Sequence, residues 1–321
     1  MTGIRSVVRG VGHYLPERVV PNAWFADNLE TSDDWIRSRT GIERRRFAAE
    51  GELTSDLAAA AARAALADAG MAPGDLDGLI VATTTPDQTF PATSVKVQAM
   101  IGMERGFAYD QMAACAGFVY ALAGADAMIR AGLARRMMVI GAETYSRILD
   151  FEDRGTCVLF GDGAGALILE GAEGSERGVL SADLNADGRQ AGILYVDGGV
   201  SQDQRAGVLR MQGREVFRHA VEKLADTAHA ALGRAGLEAG DVDWVVPHQA
   251  NVRIIEATAK RMGVPMERVV VTVQDHGNTS AASIPLALSV ASGDGRIREG
   301  QVVVTEAIGG GLVWGSVVLR W

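Results

Sequence analysis

An α/β protein built from two copies of one unit is what this 321-residue chain predicts, on three observations. Short apolar runs alternate with helix-like stretches along its whole length. The segment 65–77, ALADAGMAPGDLD, returns at 231–243 as ALGRAGLEAGDVD, with seven of thirteen positions identical and no gap. The run Met137–Ile140 followed by Gly141-Ala142-Glu143 is matched by Val302–Thr305 followed by Glu306-Ala307, and each leads to a glycine-rich turn and another apolar run. The halves fall at 1–172 and 173–321.

In chain order, each repeat ends a helix on glycine (Gly70, Gly236), turns, and enters a strand, Leu79–Ala82 or Trp244–Pro247. A mostly apolar segment, 106–114, then delivers Cys115 to the start of a helical stretch, 116–131. Unpaired N–H groups at a helix start favour a thiolate, and a thiolate is a nucleophile. Val158-Leu159-Phe160 and Ala166–Leu169 read as strands on either side of Gly161-Asp162-Gly163-Ala164-Gly165. A dinucleotide site needs a helix after such glycines, so a tight strand–strand turn is expected instead. His248 stands at the end of its strand where the first copy has Ala82. The polar turn 276–283, HGNTSAAS, carries Asn278 into an apolar helix, Ile284–Ala291. Strands alternating with helices predict a largely parallel, sandwiched sheet in each half. Pseudo-twofold packing of the halves would place a site at their junction.

Composition excludes several classes. Hydrophobic residues make up 48% and charged residues 22%, as in ordinary globular proteins. No run of 18 apolar residues is present, so no membrane span is expected. The N-terminus, MTGIR, lacks a signal-peptide core. Two cysteines, Cys115 and Cys157, give neither a disulfide framework nor a metal cluster, and the expected location is the cytoplasm. A net charge of −9 argues against nucleic-acid binding.

The motifs TSDDWIRSRTGIERR (31–45), AACAGF (113–118), DRGTCVLFGDGAGA (153–166), VPHQAN (246–251), HGNTSAAS (276–283) and GGGLVWGS (309–316) together resemble the β-ketoacyl-acyl carrier protein synthase III family, over essentially the whole chain. The resemblance implies the thiolase fold, a duplicated five-layered α/β/α/β/α architecture. It implies an acyltransferase in which Cys115 takes an acyl group from acyl-coenzyme A. Malonyl-acyl carrier protein then loses carbon dioxide, and its enolate attacks the acyl-Cys115 thioester to start a fatty acid. His248 and Asn278 are implied as neutral donors to the enolate oxygen. The N–H groups of Cys115 and Gly310 are implied as the oxyanion hole, where one lost donor costs roughly 3–4 kcal/mol. Glycine suits position 310 by allowing close approach and positive φ.

The same resemblance matches Trp35 and Arg154 to an adenine-stacking pair and Arg39 to a basic residue near the phosphates. Asn251 and Phe217 fall along the pantetheine tunnel. Phe90 matches a residue that floors the acyl pocket of the partner in a homodimer. Acyl-coenzyme A is thus a substrate, and no cofactor or metal is implied. Arg210, Arg214 and Arg218 recur every four residues, as on one helix face. Arg218 and Arg253 are the expected contacts for an acidic carrier protein. Ile308 departs from the phenylalanine that many members carry before the glycine turn. A specialised acyltransferase or condensing enzyme of secondary metabolism is therefore the alternative, and a non-catalytic acyl-binding protein a remote one. Thiolases need a second, C-terminal cysteine and elongating synthases a second histidine, both missing here. Plant-type polyketide synthases carry proline in the C-terminal glycine turn, where this chain has only glycines.

Overall fold

The computed structural model describes residues 3–321. In the first half, β1 (Ile4–Tyr14) precedes a small antiparallel pair, β2 (Arg18–Pro21) and β3 (Arg44–Phe47), which encloses α1 (Ala23–Ala26) and α2 (Asp33–Thr40). Then come α3 (Thr54–Ala69), β4 (Gly78–Ala82), α4 (Thr93–Ile101), β5 (Phe107–Gln111), α5 (Gly117–Arg130), β6 (Arg136–Glu143) and β7 (Gly163–Glu173). The second half runs β8 (Gly178–Ala186), the short pair β9 (Leu194–Val196) and β10 (Leu209–Met211), α6 (Gly213–Ala235), β11 (Trp244–Pro247) and α7 (Val252–Met262). It closes with α8 (Val273–His276), α9 (Ser283–Gly293), β12 (Val302–Gly309) and β13 (Val313–Arg320).

The two main sheets repeat one topology. The first is ordered β1-β7-β6-β4-β5 and the second β8-β13-β12-β11. A single parallel bridge from Val269 to Val245 stands where β5 stands in the first. In both sheets the first two pairings are antiparallel and the rest parallel. The expectation of largely parallel sheets is therefore corrected: each sheet is mixed. The cause lies in the connections. A parallel neighbour needs a crossover element. No α-helix lies between β6 and β7, and only Gly310-Gly311-Leu312 joins β12 to β13, so both pairs fold back antiparallel.

Helices α3 and α4 cover the outer face of the first sheet, and α6 covers that of the second, with α7 packed against α6. Between the sheets lie α5 and α9, apolar nearly all round, with Phe118, Leu122, Ile284 and Leu288 buried. Alanine-rich α3 lies so close to β1 that a Cβ at Gly12 would come within 2.2 Å of the Ala65 nitrogen. The repeated helix ends are real: Gly70 and Gly236 cap α3 and α6 in left-handed conformation, φ 61° and 71°.

Two local expectations fail. Val158-Leu159-Phe160 is a turn, joined to the rest by a bridge from Phe160 to Asn278, and only the segment from Gly163 onward is strand. Arg210 does not share a helix face with Arg214 and Arg218. It lies in β10, bonded to Asp150 and Asp197, because α6 begins only at Gly213.

Candidate active site

Cys115 sits in a single 3₁₀ turn, Ala114–Ala116, immediately before α5. The turn is strained, since Ala114 holds φ 44°. It is also pinned: a Cβ at Gly309 would lie 2.5 Å from the Cys115 nitrogen. Gly310 needs to be glycine for the same kind of reason, since a Cβ there would meet the Leu194 oxygen at 2.5 Å. Positive φ is not part of it; in this turn only Gly311 has that, at 144°.

Burial pushes the Cys115 thiol up to about 11, so desolvation outweighs the pull of the helix start toward a thiolate. Two hydroxyls act against burial. Ser280 Oγ donates to the sulfur at 3.3 Å, and the Tyr145 hydroxyl, 3.2 Å from Ser280 Oγ, also favours the charged form.

His248 follows β11, its N–H donating to the Glu306 carbonyl at 2.8 Å. Its Nδ1 lies 2.7 Å from Ser283 Oγ, which also accepts the Gln249 N–H at 3.3 Å. The serine hydroxyl hydrogen has no other acceptor among the described residues, so it is donated to Nδ1 and leaves the ring proton on Nε2. Burial lowers this imidazole to about 4, so it is neutral. Asn278 is fixed by its backbone, donating to the Leu159 carbonyl and accepting from the Gly161 N–H. Its Oδ1 accepts the Ser280 N–H at 2.9 Å, which leaves the Nδ2 hydrogens to the cavity. His248 Nε2 and Asn278 Nδ2 have no protein partner among the described residues, and both side chains line one cavity with Cys115.

That cavity, about 730 Å³, is rimmed by Arg39, Arg154, Arg214 and Arg253, a local excess of positive charge on an acidic chain. Phe217, Asn251 and Ile308 lie along it. Asn251 also caps α7, its side chain accepting the Ile254 N–H. At the rim the Trp35 ring meets the Arg39 guanidinium at 4.6 Å and that of Arg154 at 4.7 Å. Arg154 is tied to the Glu30 carbonyl. A second cavity of about 850 Å³, walled by Tyr145, Ile148 and Leu209, opens on the other side of Cys115. Cys115, Phe160 and Leu194 are common to both.

Phe90 lies outside its own chain's cavity wall and is 81% exposed, following Thr89 and preceding a cis bond to Pro91. Arg218 pairs with Glu215, and Arg253 lies 5.8 Å over Phe217. Ser280, Ser283, Tyr145 and Glu143 were not singled out by sequence reasoning. The serines lie within the HGNTSAAS motif, but only the fold turns them toward sulfur and imidazole.

A thiol set between two cavities on a duplicated, five-layered α/β frame, faced by two neutral donors, defines a condensing acyltransferase. Residues 109–188 match the family described as 3-oxoacyl-[acyl-carrier-protein] synthase III, and residues 232–321 match its C-terminal part. Curated relatives named beta-ketoacyl-[acyl-carrier-protein] synthase III include one from Cereibacter sphaeroides, 69% identical over 99% of both chains, and one from Paracoccus denitrificans with the same figures. The crystal structure of 3-oxoacyl-[acyl-carrier-protein] synthase III from Aquifex aeolicus superposes with a TM-score of 0.94 at 43% identity, covering 98% of this chain and 100% of that one. The chain belongs to the β-ketoacyl-acyl carrier protein synthase III family. No helix among the described residues is long and apolar enough to cross a membrane.

Proposed function

We propose that this chain starts fatty-acid synthesis by joining an acyl-coenzyme A primer to malonyl-acyl carrier protein. Cys115 attacks the primer thioester, and the acyl group passes into the cavity beside Tyr145 while coenzyme A leaves with a proton. The malonyl thioester then enters the arginine-rimmed cavity. Its carbon dioxide departs as His248 Nε2 and Asn278 Nδ2 donate to the enolate oxygen. The enolate carbon attacks the acyl-Cys115 carbonyl, the N–H groups of Cys115 and Gly310 hold the oxyanion, and the Cys115 thiolate leaves and is reprotonated. Donors aimed at developing charge in a buried site are the main source of such catalysis.

The observation that carries the reading is the pair of unpartnered donors, His248 Nε2 and Asn278 Nδ2, lining one cavity with Cys115. Trp35, Arg39 and Arg154 are read as the nucleotide end of the coenzyme A site, and Phe217 and Asn251 as its pantetheine wall. Arg218 and Arg253 are read as carrier-protein contacts. The units 1–172 and 173–321 are read as the duplicated halves. A cytoplasmic homodimer fits the exposed Phe90 and the edge strand β5, with Phe90 entering the partner's acyl cavity.

The test is mass spectrometry of the protein mixed with a panel of acyl-coenzyme A thioesters, then with malonyl-carrier. An adduct on Cys115, followed by carbon dioxide release and a β-ketoacyl-carrier product, supports the reading. An adduct that passes to a different acceptor supports the specialised acyltransferase. No adduct with any thioester leaves only acyl binding.

A further inference from the structure

A chain of polar groups, buried but for half-buried Thr84, runs from Cys115 to Glu143, and the reaction as described leaves it unused. Ser280 Oγ donates to Sγ at 3.3 Å. The Tyr145 hydroxyl is 3.2 Å from Ser280 Oγ and 3.3 Å from Thr84 Oγ1. Thr84 Oγ1 is 3.1 Å from Glu143 Oε1. The Glu143 carboxylate is fully buried and accepts from Thr83 Oγ1, from the N–H and Oγ1 of Thr84, and from the N–H and Oγ1 of Thr85. Tyr145 is further fixed by stacking on Phe160, with ring centroids 4.8 Å apart.

Proton counting gives the chain a direction. An ionised carboxylate only accepts, so the single Thr84 hydroxyl hydrogen goes to Glu143. A thiolate also only accepts, so the Ser280 hydrogen goes to Sγ. The Tyr145 hydrogen is then the one left to donate to Ser280 Oγ or to the sulfur. Each donor in such a line strengthens the next. The turn that carries Ser280 is held at φ 50°, a conformation costly for serine, and it keeps the hydroxyl aimed at the sulfur.

We propose that Ser280 is a catalytic residue of the acylation step, donating to the Cys115 sulfur as it becomes a thiolate, and that Tyr145 is the positioning residue that orients it. This rests on the reading of Cys115 as the acyl-accepting nucleophile. In the step, the Cys115 S–H bond breaks and a bond forms from sulfur to the acyl carbonyl carbon. The carbonyl carbon's bond to the coenzyme A sulfur breaks. The proton lost by Cys115 ends on the departing coenzyme A, while Ser280 and Tyr145 keep theirs. Decarboxylation at His248 and Asn278 does not use the chain.

The experiment compares Ser280→Ala, Ser280→Gly, Tyr145→Phe and the Tyr145→Phe/Ser280→Ala double variant. Glycine accepts the positive φ, and phenylalanine keeps the stack on Phe160. Three rates are read: alkylation of Cys115 by iodoacetamide across pH, acylation of Cys115 by acyl-coenzyme A at pH 7.5, and carbon dioxide release from malonyl-carrier. The groups that titrate around the sulfur are Glu143, Tyr145 and His248, and all are retained in the serine variants. Both serine variants are expected to move the alkylation profile to higher pH and to slow acylation at pH 7.5 about tenfold. Tyr145→Phe should do the same to a smaller degree and add nothing in the double variant, with carbon dioxide release slowed less than acylation in every variant, since the Ser280 N–H that holds Asn278 is retained. Alkylation profiles that superpose on that of the unaltered protein, or equal losses in acylation and carbon dioxide release, overturn the proposal. If the unaltered protein itself takes no acyl group from any acyl-coenzyme A, it is the nucleophile reading that falls.

Discussion

Ala114 and Ser280 occupy the same place in the two copies of the fold and share the same left-handed backbone, φ 44° and 50°. Each opens the 3₁₀ turn that feeds an inner helix, α5 or α9. After Ala114 comes Cys115, and after Ser280 comes Ala281, so the duplication sets a thiol on one copy against a hydroxyl on the other. The Cys115 turn meets Gly309 at the end of β12, where any side chain would press on Cys115 and Ala114, and the Ser280 turn meets Gly141 in β6, where a Cβ would lie 2.2 Å from the Ala281 oxygen.

Replacing Gly309 with alanine places a Cβ 2.5 Å from the Cys115 nitrogen and 2.8 Å from the Ala114 Cβ. The turn has to shift, and a shift near 1 Å at a reacting group costs about a hundredfold. Acylation by acyl-coenzyme A, followed by mass spectrometry, should fall by about that factor while the circular dichroism spectrum stays native. Unchanged acylation would show that the turn yields without moving the sulfur.

Ser283→Ala removes the group that holds the His248 proton on Nε2. Carbon dioxide release from malonyl-carrier is expected to drop roughly 10- to 100-fold, the usual cost of losing a group that fixes a working imidazole. Formation of acyl-Cys115 should persist. A parallel loss of both half-reactions would point to a collapsed turn instead.

The two half-reactions should respond differently to pH. With the thiol up at about 11, acylation rises about tenfold per unit across pH 6–8.5 as the thiolate fraction grows. With His248 down at about 4, decarboxylation stays flat from pH 5.5 to 8. Rapid-quench measurement of each step separates them. An inflection of the decarboxylation rate near pH 6.5 would mean that the imidazole ionises in the working range.

Glu306 is buried beneath α6 with Oε2 unpartnered, and burial raises it to about 8 from an ordinary value of 4.5. The folded chain therefore holds a proton that the unfolded chain gives up, so its contribution to stability is intact below pH 4.5 and is lost as pH rises to about 8. At about 1.4 kcal/mol per unit, the loss is on the order of a few kcal/mol. Glu306→Gln cannot ionise, and its gain in Tm over the unaltered protein should widen between pH 5 and pH 8. A difference independent of pH would show that the carboxyl is already paired.

Reversing Arg218 and Arg253 to glutamate should raise KM for malonyl-carrier several-fold at low salt and leave Cys115 acylation untouched. Rim charges act mainly on encounter with a charged partner. Equal damage to both half-reactions would place these arginines on the coenzyme A path alone.

Most of the candidate site was legible because Cys115, His248 and Asn278 each lie in a contiguous motif of distinctive residue types. The duplication was legible because glycine-capped helix ends and apolar strands keep their spacing. Strand direction was not, since β6, β7 and β12 are buried on both faces and read alike in either sense. Val158–Phe160 looked like a strand because it is apolar, but Arg45 and Asn278 hold it as a turn. The hydrogen-bonded chain through Tyr145 left no local trace: it joins residues 135 and 165 positions apart, and only packing brings them together.

The two hollows share only Cys115, Phe160 and Leu194, so whatever is bound to the sulfur fills one side and leaves the other clear. If both thioesters of the proposed reaction reach the sulfur from the arginine-rimmed side, the first handle has to back out before the second can be threaded in. Turnover becomes an enforced alternation through one doorway, and spent coenzyme A lingering there obstructs the incoming carrier arm, not the acyl chain already stowed.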